Sequence, residues 1–139
     1  MLGDEVIQAA IVEKLKSLAP FGLVQSMEVR ELSWQGDTFT YPNIRVDLES
    51  NEWVFDEQER CNLQYVTFSI YIFSEQRSSK ECSQIKTLII NALVGMGFTS
   101  VTQQVKFSRL RMVDNVPAIR EDANTWRSQV QFGSRISNP

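Results

Sequence analysis

Histidine is absent from all 139 residues. That single absence removes the usual general base near neutral pH, the commonest transition-metal ligand, and the Ser/His and Cys/His nucleophile pairs. Cysteine is nearly missing as well. Cys61 and Cys82 are the only two, and neither sits in a CxxC or Cys/His spacing, so no disulfide framework or zinc site is indicated and two buried free thiols are the plain reading. The six glycines form no P-loop or dinucleotide-binding run. Gly95-Met96-Gly97 falls where a helix ends, not where one starts, which leaves no phosphate cradle. The first residues, Met1-Leu2-Gly3-Asp4-Glu5, carry neither a basic region nor a continuous apolar core. They read as neither signal peptide nor membrane span, and the expectation is a protein with no membrane partner that stays in the cytoplasm where it is made.

What is present is best determined in residues 63–96. Val66, Phe68, Ile70 and Ile72 share one face of a strand by the period of two, and Leu63, Tyr65, Tyr71 and Phe73 line the other. Large apolar groups on both faces place this strand in the middle of a sheet, or between a helix and a neighbour. A short polar turn leads to Ser78-Ser79-Lys80-Glu81, which fits a capping box. Beyond it Cys82, Ile85, Leu88, Ile89, Ala92, Leu93 and Met96 fall at helical spacing, a stripe wide enough to cover a sheet, with Gly95 and Gly97 as the stop.

Elsewhere the pattern is shorter. Asp4 caps a first helix with the stripe Ile7, Ala10, Ile11, Leu15 and Leu18, ended by Ala19-Pro20. Residues 27–34 read as a strand with Met27, Val29 and Leu32 inward, and Gln35-Gly36-Asp37 as a turn. In residues 43–49, Ile44, Val46 and Leu48 alternate against Arg45, Asp47 and Glu49, which gives a strand with one wet face. Residues 50–60 read as an acidic loop carrying Trp53, Val54 and Phe55, which either dock a partner or fold back onto the core. In residues 100–112 Val101, Val105 and Phe107 hold one parity and Leu110 and Met112 the other. A β-bulge near Ser108-Arg109 accounts for the slip. Asp114-Asn115 and Pro117 mark a connection to about Asn124, and residues 126–136 form a last strand with Trp126, Val130, Phe132 and Ile136 inward and Arg127, Gln129, Gln131 and Arg135 outward. The expected result is one α+β domain over residues 1–139: a single, mostly antiparallel β-sheet with two helices packed on one face.

Charge is split along the chain. Residues 1–75 hold 13 acids and 5 bases, whereas residues 76–139 hold 4 acids and 9 bases. Either unlike faces of neighbouring copies meet, or the two halves interleave within one fold. Asp47, Glu49, Glu52, Asp56, Glu57 and Glu59 have the chemistry to hold magnesium. However, no lysine follows an acid at a spacing of two, and a restriction-type nuclease needs that step to activate water. Lys106, Arg109, Arg111, Arg127 and Arg135 have the charge to line a nucleic-acid face, but the pI near 5.0 and the lack of an aromatic-basic motif argue for scattered surface arginines. No cofactor, no specific nucleic acid and no catalytic activity are expected.

The amino-terminal helix, the strand "TYPNIRVDLES", the long strand "LQYVTFSIYIFS", the helix "SSKECSQIKTLIINAL" and the closing strand "TWRSQVQFGSRI" together resemble, in order and spacing, the small tail terminator or tail completion proteins of tailed bacteriophages. The resemblance spans nearly the whole chain. It implies a non-enzymatic virion protein, assembled in the host cytoplasm, that forms a hexameric ring on the head-proximal end of the tail tube. Such a ring stops tube polymerisation and joins the tube to the head connector or neck. Its partners are further copies of itself, the tail tube protein and the connector. A ring needs two different complementary patches on each subunit, and the charge split selects them: Asp47, Glu49, Glu52, Trp53, Phe55 and Asp56 on one side, and Arg109, Arg111, Arg127 and Arg135 on the other.

Overall fold

A computed structural model describes residues 2–18, 24, 28–33, 40–53, 64–75 and 78–138, and for Trp53 the backbone alone. The elements run α1 (Asp4–Leu18), β1 (Val29–Glu31), β2 (Asn43–Trp53), β3 (Gln64–Ser74), α2 (Lys80–Leu93), β4 (Phe98–Ser100), β5 (Val105–Phe107), β6 (Arg111–Arg120) and β7 (Trp126–Ser137). They build one seven-stranded sheet in the order β1-β2-β3-β7-β5-β4, with β6 also on the flank of β7. Every pairing is antiparallel except that of β1 with β2. The architecture is the α+β class expected from the sequence.

The inner face is set by the period of two. Val66, Phe68, Ile70 and Ile72 on β3 are fully buried and face Ile44, Val46 and Leu48 across β2 and Val130, Phe132 and Ile136 across β7. Phe68 is the centre of this layer. Its ring meets Phe132 at 5.9 Å and Phe107 edge-on at 6.4 Å, spacings at which aromatic rings attract beyond their buried area. Ile85, Ile89 and Leu93 of α2 close over β3 and β7, and Ile7, Ala10, Ile11 and Leu15 of α1 are buried in the same cluster. α1 touches β1 and β2 at one end of the sheet and β4 and β5 at the other. The sheet therefore curls around that helix, as the right-handed twist of successive strands favours.

Several expectations are corrected at this level. The cap is displaced by one residue: Ser79 is the N-cap and its side chain makes no cap bond, the helix starts at Lys80, and it is the Ser78 hydroxyl that accepts from the Lys80 amide at 3.4 Å. Asp4 is the first residue of α1 and accepts a hydrogen bond from Asn51 Nδ2 at 2.8 Å, while Leu2 and Gln64 bond each other through backbone and amide. The helix start is thus tied to the sheet instead of capping itself. Leu88, placed in the α2 stripe, is 36% exposed and Met96 is exposed; Lys86 is buried in their stead and donates to the Val116 carbonyl at 3.0 Å. Burial pushes its ammonium below the ordinary lysine value. Gly95, with φ of 74°, ends the helix as expected, whereas Gly97 serves a different need, since a Cβ there would stand 2.8 Å from the Phe107 carbonyl oxygen.

Residues 100–112 are not one strand. β4 and β5 form a hairpin around residues 101–104, which leaves Val101 76% exposed; Leu32, expected inward, lies just past β1 and is exposed too. The bulge expected near Ser108-Arg109 is there: Phe107 pairs with Ile136 and Arg111 with Gly133, so four steps on one side span three on the other. The connection expected from Asp114 to about Asn124 is instead largely strand: β6 runs from Arg111 to Arg120. Its residues are exposed or half-exposed, two register shifts interrupt it, and Pro117 sits within it, all marks of a sheet edge. The expected turn at 35–37, Met27, Cys61 and Leu63 lie outside the described residues.

Candidate functional site

Among the described residues no helix covers the outer face of the sheet, and the polar half of each strand gathers there. β2 contributes Arg45, Asp47, Glu49 and Glu52; β3 contributes Tyr65, Thr67, Ser69, Tyr71 and Phe73; β7 contributes Arg127, Gln129, Gln131, Gly133 and Arg135; β6 adds Arg111 and Asp114. Strict alternation would send Glu52 to the inner face with Ile44, Val46 and Leu48. It faces outward because Leu48 pairs with Phe68 and Ser50 with Thr67, so Glu49 is an inserted bulge residue that flips the parity of the rest of the strand. One extra residue thus collects Asp47, Glu49 and Glu52 on one face. The strand also continues to Trp53 rather than giving way to a loop at Ser50.

A hydrogen-bond network knits the middle of this face. Ser69 Oγ donates to Glu49 Oε1 at 2.5 Å, Gln131 Nε2 donates to Glu49 Oε2 at 2.5 Å, and Gln129 Nε2 donates to Ser69 Oγ at 3.0 Å. Burial, with the neighbouring Glu49 carboxylate, raises the pKa of Asp47 above the ordinary aspartate value. Tyr71 is pushed up for the same reasons: burial first, then the Glu49 and Asp47 charges. It stacks on Phe73 at 6.5 Å and lies beneath the Arg127 guanidinium at 5.9 Å, while Arg127 Nε bonds Glu121 at 3.0 Å. Near the β1 end, Arg45 donates to the Glu28 carbonyl at 2.5 Å and pairs with its carboxylate at 3.5 Å. Burial opposes the Glu28 charge, but the Thr40 amide and hydroxyl and Arg45 outweigh it and hold the pKa below the ordinary glutamate value.

The far end of the face is an arginine cleft of about 460 Å³, lined by Tyr65, Ser108, Arg109, Arg111, Gly133, Ser134 and Arg135. Tyr65 reaches across β7 to accept a hydrogen bond from Arg111 Nη2 at 3.1 Å. It can do so because position 133 lacks a side chain, since a Cβ there would collide with the Tyr65 hydroxyl. Arg109 and Arg135 have no acid partner among the described residues.

Of the expected interface residues, Asp47, Glu49, Glu52, Arg111, Arg127 and Arg135 share the outer face, and Arg109 stands at the bulge beside it. Trp53 closes β2 opposite Gln64, while Phe55 and Asp56 lie outside the described residues. Sequence reasoning missed Tyr65, Ser69, Gln131 and Gly133. Ser69 and Gln131 are directly paired across β3 and β7, but nothing in the sequence announces that partnership. Among the described residues no cluster of three acids, cysteines or histidines is arranged for a metal ion, and no helix is long and apolar enough to cross a membrane.

No protein-family model and no curated protein sequence matches the chain. Among solved structures it is similar to a chain described as "Virion of native gene transfer agent (GTA) particle", with a TM-score of 0.68 and 18% identity over 93% of this chain and 92% of that one. The two share a fold from end to end, with little sequence in common.

Proposed function

We propose that the protein is a structural component of a phage-like virion and, within that class, a tail-terminator-type ring protein. In this reading copies close into a hexameric ring on the head-proximal end of the tail tube, stop its polymerisation and offer the head connector a docking surface. The protein binds and assembles; it does not catalyse. The observation that carries the reading is the end-to-end fold similarity to a chain of a gene transfer agent virion, which agrees with the resemblance legible in the sequence. A polar sheet face that no described helix covers and a chain divided into acidic and basic halves support an assembly role. Both are what a subunit with two unlike contact patches requires.

A second reading keeps the virion and changes the position. The similar chain belongs to a whole particle, and that description fits another neck or tail component equally. Particles produced without this chain distinguish the two in electron micrographs. A terminator's loss gives tails of uncontrolled length that fail to join heads, whereas tails of normal length point to another position.

A further inference from the structure

The charge split of the sequence reappears as a split across the width of the sheet. β1 pairs with β2 only through Ile44, Arg45 and Val46, so among the described residues no strand pairs residues 47–53 of β2 on that side, and this edge carries Asp47, Glu49 and Glu52. At the opposite margin β7 is the one strand that pairs with β6 among the described residues; Leu110, just before β6, is bonded to Gly95 and Met96, so the open edge begins at Arg111. That margin carries Arg111 and Arg120, with Arg109 and the arginine cleft at its start. The two edges stand three strand spacings apart, about 14 Å at 4.8 Å per strand. The acidic and basic margins of one subunit are therefore too far apart for Glu52 to reach Arg109 directly across β3 and β7.

They do stand level with each other. Glu52 pairs with Tyr65, and Tyr65 with Arg135; the Ser108 amide then donates to the Arg135 carbonyl at 2.9 Å, which puts Arg109 beside the end of this row. In the next row Ser50, Thr67, Gly133 and Arg111 lie side by side. A copy displaced sideways along the sheet presents its Glu52 at the level of the cleft. Three antiparallel pairings separate β2 from β6, so the two edges also meet in the antiparallel sense.

We propose that the cleft of Arg109, Arg111 and Arg135 receives Glu52 of an adjacent copy, so that the acidic free edge of one subunit docks on the basic free edge of the next. The proposal rests on the ring reading above and names the patches that build it. A second copy fits better than nucleic acid. The complementary carboxylate is on the chain itself, whereas a phosphate backbone running on past the cleft would meet Asp114, Asp47 and Glu49 in the middle of the same face. Asp47 ends its own row at Asp114, a like-charge opposition that confines the contact to the arginine end while twist carries the other ends apart. Tyr65 is the positioning residue, since it fixes the Arg111 guanidinium that Glu52 meets.

The test uses two variants of the full chain, Arg109→Glu/Arg111→Glu and Glu52→Lys, all at exposed positions, with folding checked by circular dichroism. Sedimentation velocity at low salt should show each variant associating about tenfold more weakly than the wild type. In an equimolar mixture the intact acid edge of one variant meets the intact cleft of the other, and the two charge-reversed patches are also complementary, so the mixture should assemble further than either variant alone. Combining Glu52→Lys with Arg109→Glu in one chain should restore higher assembly. If these two variants assemble as the wild type does, the contact is wrong and the ring reading stands. If the wild type itself never assembles, alone or on tube ends, the ring reading fails and takes the contact with it. Variants of unchanged mass that lose retention of DNA would overturn the proposal in favour of nucleic acid.

Discussion

Tyr65 lies across Gly133: a Cβ at residue 133 would collide with the phenol oxygen and stand 3.0 Å from Cζ and 3.3 Å from Val113 Cγ2. The missing side chain lets a β3 residue pass over β7 and hold Arg111 on β6. Gly133 has no positive φ, so alanine fits the backbone and also narrows the unfolded ensemble. Gly133→Ala should therefore change stability by less than about 1 kcal/mol, since the tyrosine ring can swing aside, while weakening self-association. A denaturant midpoint and sedimentation velocity on the same sample separate the two effects. Loss of both together would make Gly133 a folding residue.

The core prediction concerns Phe68, fully buried between the rings of Phe107 and Phe132. Phe68→Ala should cost about 3–5 kcal/mol, because the surrounding strands are tied by ladder bonds and collapse only partly into the void. Ile89→Ala, on the α2 side of the same seam, should cost about 2–5 kcal/mol. Urea unfolding of both variants checks the pair. A small shift for Phe68 with a large one for Ile89 would place the seam nearer the helix than the sheet.

The pH prediction concerns Asp47. Its pKa is raised by burial and by Glu49, so the ionised form is disfavoured in the folded state and costs stability above the folded pKa. Asp47→Asn should accordingly raise the urea midpoint at pH 7. The gain should shrink as pH falls through the raised pKa and disappear below the ordinary value of 3.8, where the aspartate is neutral in both states. Glu28 runs the other way. Its pKa is lowered, so the stability it contributes is present above 4.5 and is lost as pH falls through its folded pKa. An Asp47→Asn gain independent of pH would mean that the charge of Asp47 is not the source of its cost.

Elements with one clean period were legible from the residues. The alternation of Val66, Phe68, Ile70 and Ile72 fixed β3 and its buried face, the three-and-four spacing fixed both helices, and the parity slip between Phe107 and Leu110 located a bulge. β6 was illegible for a physical reason. An edge strand exposed on both faces has no buried side to impose alternation, and Asp114, Asn115 and Pro117 look like a turn whether or not β7 pairs with them. The same holds for the site. The charges at Asp47, Glu49, Arg111 and Arg135 are visible in the sequence, but the bulge that turns Glu52 outward depends on register, and the passage of Tyr65 over Gly133 depends on three strands meeting.

The place of the chain in its particle decides between a ring at the tail end and any other role, and a cryo-electron microscopy reconstruction of the purified virion-like particle that contains it measures this directly. The predicted result is a closed ring at the junction of tail tube and head connector, with density for this fold repeated six times and the Arg109–Arg111–Arg135 cleft of each copy against the Glu52 edge of the next. A particle whose junction holds another fold, or whose protein content lacks this chain, would contradict it.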